Sequence, residues 1–159
     1  HLQPVVAKLR ESGARVEEYD DKIRVVSDGK IKPVDIKTLP YPGFPTDMQA
    51  QFMAMLSVAD GTSIIHETIF DNRFMHANEL SRMGVNVKIE GSSAVLKGGN
   101  KLSGAKVKAT DLRAGAALII AGMLADGETE ITEIHHIKRG YANIIEKLQN
   151  IGANIRLEK

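Results

Sequence analysis

Three segments of this chain are variants of one another: LRESGARV from Leu9, LSRMGVNV from Leu80 and LQNIGANI from Leu148. Each runs through the end of an amphipathic helix into a glycine, the residue suited to the left-handed position just past a helix, and then into a β-branched strand. A second pair interleaves with the three. TDMQAQFMAMLSVADGTSI from Thr46 and TDLRAGAALIIAGMLADGETEI from Thr110 share a Thr-Asp start and an Ala-Asp-Gly exit. A spacing of about 70 residues is longer than the period of common solenoids, so the repeated unit is itself a small α/β layer. Met48, Phe52, Met55, Leu56 and Ala59 define the apolar face of the first paired helix. Leu112, Ala116, Ile119, Ile120 and Met123 define the matching face of the second, which is apolar nearly all round and is expected to be buried on most sides.

Short β-branched stretches lie between the helices: KIRVVS, DIKT, SIIHE, VNVKIE, SAVLKG, AKVKAT and TEITEI. Each copy therefore reads as helix, two or three strands, helix, strand. The expected division is one partial domain over 1–159, with repeat units at about 1–70 and 71–134 and a closing helix and strand at 135–159. Fewer than three copies should leave apolar surface uncovered, bounded by the first helix (Val5, Val6, Leu9) and the nearest sheet edge, as in a piece of a larger protein.

Composition narrows the function classes. The formal charge is +1, only 4% of residues are aromatic and none is tryptophan, so nothing favours nucleic acid. No stretch reaches the roughly 18 apolar residues of a membrane span. With no cysteine there is no disulfide, thiolate metal site or thiol nucleophile in these residues, which fits the cytoplasm.

Two prolines and a glycine stiffen YPGFP before Asp47, and this approach belongs to the first copy alone. Asp47 can cap the helix, as Asp111 can in the second copy, or hold a carboxylate for chemistry. Arg73, Arg113 and Arg139 are expected at or just before helix starts, where a cation is disfavoured unless an anion sits between it and the helix. Asp71 and Asp111 could instead neutralise them. Arg73 and Arg139 each follow a strand-end glutamate, Glu67 and Glu133, by the same interval. His66, His76, His135 and His136 lack the spacing of a metal site, the adjacent pair being expected to point apart. Met48, Met53 and Met55 read as core, and LKGGNKLSG as a turn.

Taken together, PGFPTDMQAQF, NRFMHANELSRMG, LSGAKVKATDLRAGAAL and RGYANIIEKLQNIGANI resemble the bacterial UDP-N-acetylglucosamine 1-carboxyvinyltransferases over essentially all 159 residues. The resemblance implies the C-terminal part of a two-domain enolpyruvyl transferase. Its fold would be part of an inside-out α/β barrel built from repeated β-α-β-α-β-β units. The implied reaction moves enolpyruvate from phosphoenolpyruvate to the 3-hydroxyl of UDP-N-acetylglucosamine, the first committed step of peptidoglycan precursor synthesis. It needs no metal or cofactor and no partner beyond the rest of the enzyme. By resemblance Asp47 is the base or orienting group at that hydroxyl, and Ile69 contacts the nucleotide-sugar largely through its main chain. Arg73, Arg113 and Arg139 surround the substrate phosphates and carboxylate, with Arg139 counted among the catalytic groups. The family's mobile loop with its cysteine or aspartate proton donor, the lysine near its N-terminus and other anion-binding residues have no counterpart here, so the chain alone is expected to be inactive. The sister transferase acting on shikimate 3-phosphate shares fold and reaction, but FPTDMQAQF and NRFMHANEL fit it poorly. A non-catalytic scaffold would need neither Asp47 nor the arginines.

Overall fold

The computed structural model describes residues 1–158. In chain order the elements are α1 (Gln3–Glu11), β1 (Arg15–Glu18), β2 (Ile23–Val26), β3 (Ile36–Lys37), a 3-10 turn (Thr46–Met48), α2 (Gln49–Leu56) and β4 (Thr62–His66). They continue with α3 (Met75–Arg82), β5 (Asn86–Glu90), β6 (Ser93–Lys97), β7 (Lys106–Lys108), α4 (Leu112–Leu124), β8 (Glu130–Thr132), α5 (His135–Gly140) and α6 (Ile144–Asn150). All seven strand stretches read from the sequence contain a strand.

The three helix ends are built identically. Gly13, Gly84 and Gly152 take φ values of 102°, 97° and 96°, open to glycine and costly to other residues. The next amide donates back to the leucine that begins each repeat: Ala14 to Leu9, Val85 to Leu80 and Ala153 to Leu148. The two Ala-Asp-Gly exits also match, Asp60 N–H reaching the Ile31 carbonyl and Asp126 N–H that of Leu102.

The two repeat-paired helices lie inside, against the sheet. α2 and α4 pack on each other at the centre, with Phe52, Met53, Leu56, Ala117, Leu118 and Ala121 in one core. A four-stranded sheet, ordered β3-β4-β6-β5, covers this core; β3 and β4 are parallel and the other pairings antiparallel. Along β4, Ser63 and Ile65 turn inward while Thr62 and Ile64 face out, the period-2 signature of a sheet covered on one face. β1 and β2 form a separate hairpin, and β7 and β8 a parallel pair.

Four expectations change. The buried face of α4 is Ala114, Ala117, Leu118, Ile119 and Ala121, not the stripe through Ala116, Ile120 and Met123, and Met123 is 51% exposed. A helix apolar all round offers two faces, and the alanine face allows the closer approach to α2. The other face meets Tyr141, Ile144 and Leu148 around an apolar cavity of about 160 Å³. Residues 153–158 form no strand although Ile155 follows the third repeat; Ile155 packs on the same small cluster as Ile131 of β8, but no ladder joins them. Val5 and Val6 are buried. The open surface at α1 is instead a groove lined by Pro4, Ala7, Ile36, Phe44 and Ile64, the helix being rotated from the expected face. Finally, His135 and His136, expected to point apart, begin helix α5 with their ring centroids 4.1 Å apart.

Candidate functional site

The approach to Asp47 is fixed from behind. Phe44 is 4% exposed and stands edge-on to Phe52 of α2, centroids 5.0 Å apart, so the loop is pinned to the core. Leu39 N–H donates to the Phe44 carbonyl and Gly43 N–H to that of Pro40, closing a tight turn around the cis Tyr41–Pro42 bond. A Cβ on Gly43 would lie 2.3 Å from the Leu39 Cβ, so the close approach requires glycine. The chain emerges into the 3-10 turn, where Thr46 points inward and Asp47 outward.

Asp47 is not a cap. Neither the 3-10 turn nor α2 has a side-chain capping bond. Its repeat counterpart Asp111 is the N-cap of α4, accepting the amides of Arg113 at 2.7 Å and Ala114 at 3.0 Å. The side chain of Asp47 instead takes Arg113 Nε at 2.5 Å and Arg73 at 3.4 Å, both on Oδ1. The packing of α2 on α4 brings the helix starts together, which is how residues so far apart in sequence meet. Arg73 belongs to the turn before α3 and lies over the Phe70 ring, 4.5 Å from its centroid. Hydrogen bonding to Asp47 raises the Arg113 pKa, so its positive charge is secure. The sequence offered Asp71 and Asp111 as neutralising partners; in the fold Asp47 serves both arginines.

Arg139 is placed differently from the expectation. It lies in the last turn of α5, not before a helix start, and is exposed, with no ion pair among the described residues. α5 docks on the first turns of α4 through two glycines. A Cβ on Gly115 would lie 2.4 Å from Ile137, and one on Gly140 2.3 Å from Leu112. The neighbours of Leu112 and Gly140, Arg113 and Arg139, therefore belong to the same end of the molecule, but the structure does not join Arg139 to Asp47. Ile69 is half-buried and its N–H is already committed to Glu67 Oε1 at 2.9 Å, so only its carbonyl is left for a ligand.

Two further residues went unrecognised in the sequence. Glu67, noted only as a strand end, is 3% exposed and lies beneath the Asp47 turn. His76, read as an ordinary polar residue, is 2% exposed on the inner face of α3. Burial lowers its pKa to about 4, Asp111 opposing the shift and Arg73 adding to it, and Nε2 has no protein partner among the described residues. The one available signal was position: His76, Ala77 and Leu80 share an inward helical stripe. The site is thus an exposed carboxylate gripped by two guanidiniums, backed by a buried carboxylate and a neutral imidazole. Such a site can bind an anion and take a proton from a neighbouring hydroxyl.

Comparison with known proteins gives one consistent picture. The family model described as EPSP synthase (3-phosphoshikimate 1-carboxyvinyltransferase) matches residues 1–148. A Clostridium tetani protein named UDP-N-acetylglucosamine 1-carboxyvinyltransferase 2 is 61% identical over 98% of this chain, which spans 37% of that protein. A Desulfofundulus thermocisternus protein named UDP-N-acetylglucosamine 1-carboxyvinyltransferase is 57% identical over 98% of the chain and 64% of its own length. The crystal structure of the enolpyruvyl transferase NikO from Streptomyces tendae superposes with a TM-score of 0.89 at 29% identity, over 98% of this chain and 36% of that one.

Proposed function

Because the chain belongs to the EPSP synthase (3-phosphoshikimate 1-carboxyvinyltransferase) family, we propose that the protein carrying it is a UDP-N-acetylglucosamine enolpyruvyl transferase. In this reading the 3-hydroxyl of UDP-N-acetylglucosamine adds to C2 of phosphoenolpyruvate, C3 gains a proton, and phosphate then leaves as C3 loses one. The product feeds peptidoglycan precursors, and with them cell shape and division, in the cytoplasm. The observation that carries the reading is the Asp47 carboxylate, withheld from its helix and held by Arg113 and Arg73. Asp47 takes the hydroxyl proton as the C–O bond forms. Arg73 and Arg113 bind the anionic groups of the substrates, and Arg139 approaches the same end as a third cation. A substrate anion competes with Asp47 for those guanidiniums, so anion binding and release of the carboxylate toward the hydroxyl are coupled. The Ile69 carbonyl contacts the nucleotide-sugar. In this reading the C3 proton donor is supplied by the rest of a larger enzyme, these residues spanning 37% of the Clostridium tetani relative.

The test is a chimaera in which these residues replace the matching segment of the Clostridium tetani relative. Phosphate release from phosphoenolpyruvate should require UDP-N-acetylglucosamine. Release that depends instead on shikimate 3-phosphate would assign the sister reaction, and none with either acceptor would favour a non-catalytic scaffold.

A further inference from the structure

Among the described residues Glu67 is the one buried carboxylate, and no cation pairs with it. A carboxylate taken from water without a counter-charge is costly unless hydrogen bonds replace its hydration. Here four donors do so, and they divide between the two oxygens. Oε1 accepts from Thr38 Oγ1 at 2.8 Å, Ile69 N–H at 2.9 Å and Phe70 N–H at 3.3 Å. Oε2 accepts from Thr46 Oγ1 at 2.9 Å. Thr38 is braced in turn, since its Oγ1 accepts the Thr68 N–H at 2.9 Å and its carbonyl accepts the Thr68 hydroxyl.

These partners fall on two segments that meet at the site. Thr46 directly precedes Asp47. Ile69 and Phe70 begin the turn that ends in Arg73, whose guanidinium rests on the Phe70 ring. The Thr38–Thr68 bonds tie the two segments at their far ends. Between the Asp47 turn itself and the Phe70–Arg73 turn, the other direct tie is the exposed Asp47–Arg73 contact at 3.4 Å, too long and too wet to fix geometry. We propose that Glu67 is a positioning residue that joins the turn bearing Asp47 to the turn bearing Phe70 and Arg73, setting the carboxylate's place relative to the bound acceptor. This rests on the reading of Asp47 as the group at the acceptor hydroxyl. Glu67 never touches substrate; it acts through Thr46 on one oxygen and through the Ile69–Phe70 amides on the other.

The test uses the active chimaera and the Thr46 end of the link. Thr46→Val keeps the shape and removes one hydroxyl, whereas Thr46→Ser keeps the hydroxyl. Thr46→Val should lower kcat at least about tenfold, since a sub-ångström misplacement of a reacting group is costly, while KM for UDP-N-acetylglucosamine stays within about twofold. Thr46→Ser should restore kcat. In an Asp47→Asn background, Thr46→Val should have no further effect on residual turnover. The proposal is overturned if Thr46→Val leaves kcat unchanged, if Thr46→Ser is equally impaired, or if the full loss persists beside Asp47→Asn. An unsubstituted chimaera without turnover overturns the enzymatic reading itself and this role with it; an active one with a normal Thr46→Val variant overturns only the role of Glu67.

Discussion

Asp47 and Asp111 occupy matching places in the repeat, yet one carboxylate serves its own helix and the other serves arginines from elsewhere. The division predicts opposite phenotypes. Asp111→Ala removes an N-cap and should cost roughly 1 kcal/mol of stability. Asp47→Ala breaks only exposed ion pairs, worth at most about 1 kcal/mol together, but should cut turnover of the chimaera by about a hundredfold or more. Urea denaturation beside initial rates separates the two, and near-normal kcat for Asp47→Ala would strip it of a chemical role. His76 gives a pH prediction. Its folded pKa of about 4 lies below the ordinary 6.5, so the unfolded chain takes up the proton first as the pH falls. The stability present above pH 6.5 is lost progressively toward pH 4, in total roughly 3 kcal/mol. His76→Gln should flatten that part of the stability–pH curve; an unchanged slope between pH 6.5 and 4.5 would mean that His76 is not buried neutral.

Elements that depend on local backbone chemistry were legible in the sequence, and those that depend on what packs where were not. The three glycine-ended helices follow from a conformation that only glycine enters freely, so the repeat was visible without coordinates. The strands between them showed as β-branched runs. The orientation of α4 was not legible, because apart from Arg113 in its first turn Leu112–Leu124 is apolar nearly all round and periodicity cannot choose between two apolar faces. The arginines were recognised as anomalous, but their shared partner, Asp47, depends on α2 lying against α4. Arg139 was expected at or just before a helix start, but two short helices stand where one was expected, and it falls in the last turn of the first, α5, held to α4 by Gly115 and Gly140. The YPGFP loop carries the prediction at this scale. In Gly43→Ala the new methyl meets the Leu39 Cβ and the Pro40 carbonyl, so the turn must shift. With Phe44 anchored on Phe52, the shift should be passed to Thr46 and Asp47. The expected result is a loss of about 1–3 kcal/mol with a fall in kcat, read by denaturation and assay of the chimaera. Unaltered kcat would show that the loop is only a connection.

At the scale of the whole molecule, the repeat also marks strand edges that lack the partners of their counterparts. The hairpin β1–β2 corresponds to β5–β6, yet β6 is paired with β4 whereas β2 has no described third strand beside it and exposes Ile23 and Val25. At the other end β8 corresponds to β4, but pairs only with β7. β3 is a further edge, and between it and α1 runs a groove of about 570 Å³ in which Ile64 is 43% exposed. Unpaired strands beside apolar surface are templates for association. The 159-residue chain on its own should therefore self-associate with rising concentration in sedimentation, and Ile64→Lys, which replaces the exposed apolar side chain of a groove already flanked by Lys8, Asp35, Lys37 and His66, should weaken that association. Taken alone it should release no phosphate from phosphoenolpyruvate and UDP-N-acetylglucosamine, because in the proposed reading Asp47 and its arginines form only one side of the site. The chimaera, with its edges paired and its site enclosed, should do neither of these things: it should stay dispersed and turn over. A chain that remains monomeric at all concentrations would refute the edge argument, and measured turnover by the chain alone would show that Asp47 and its arginines need no opposing wall.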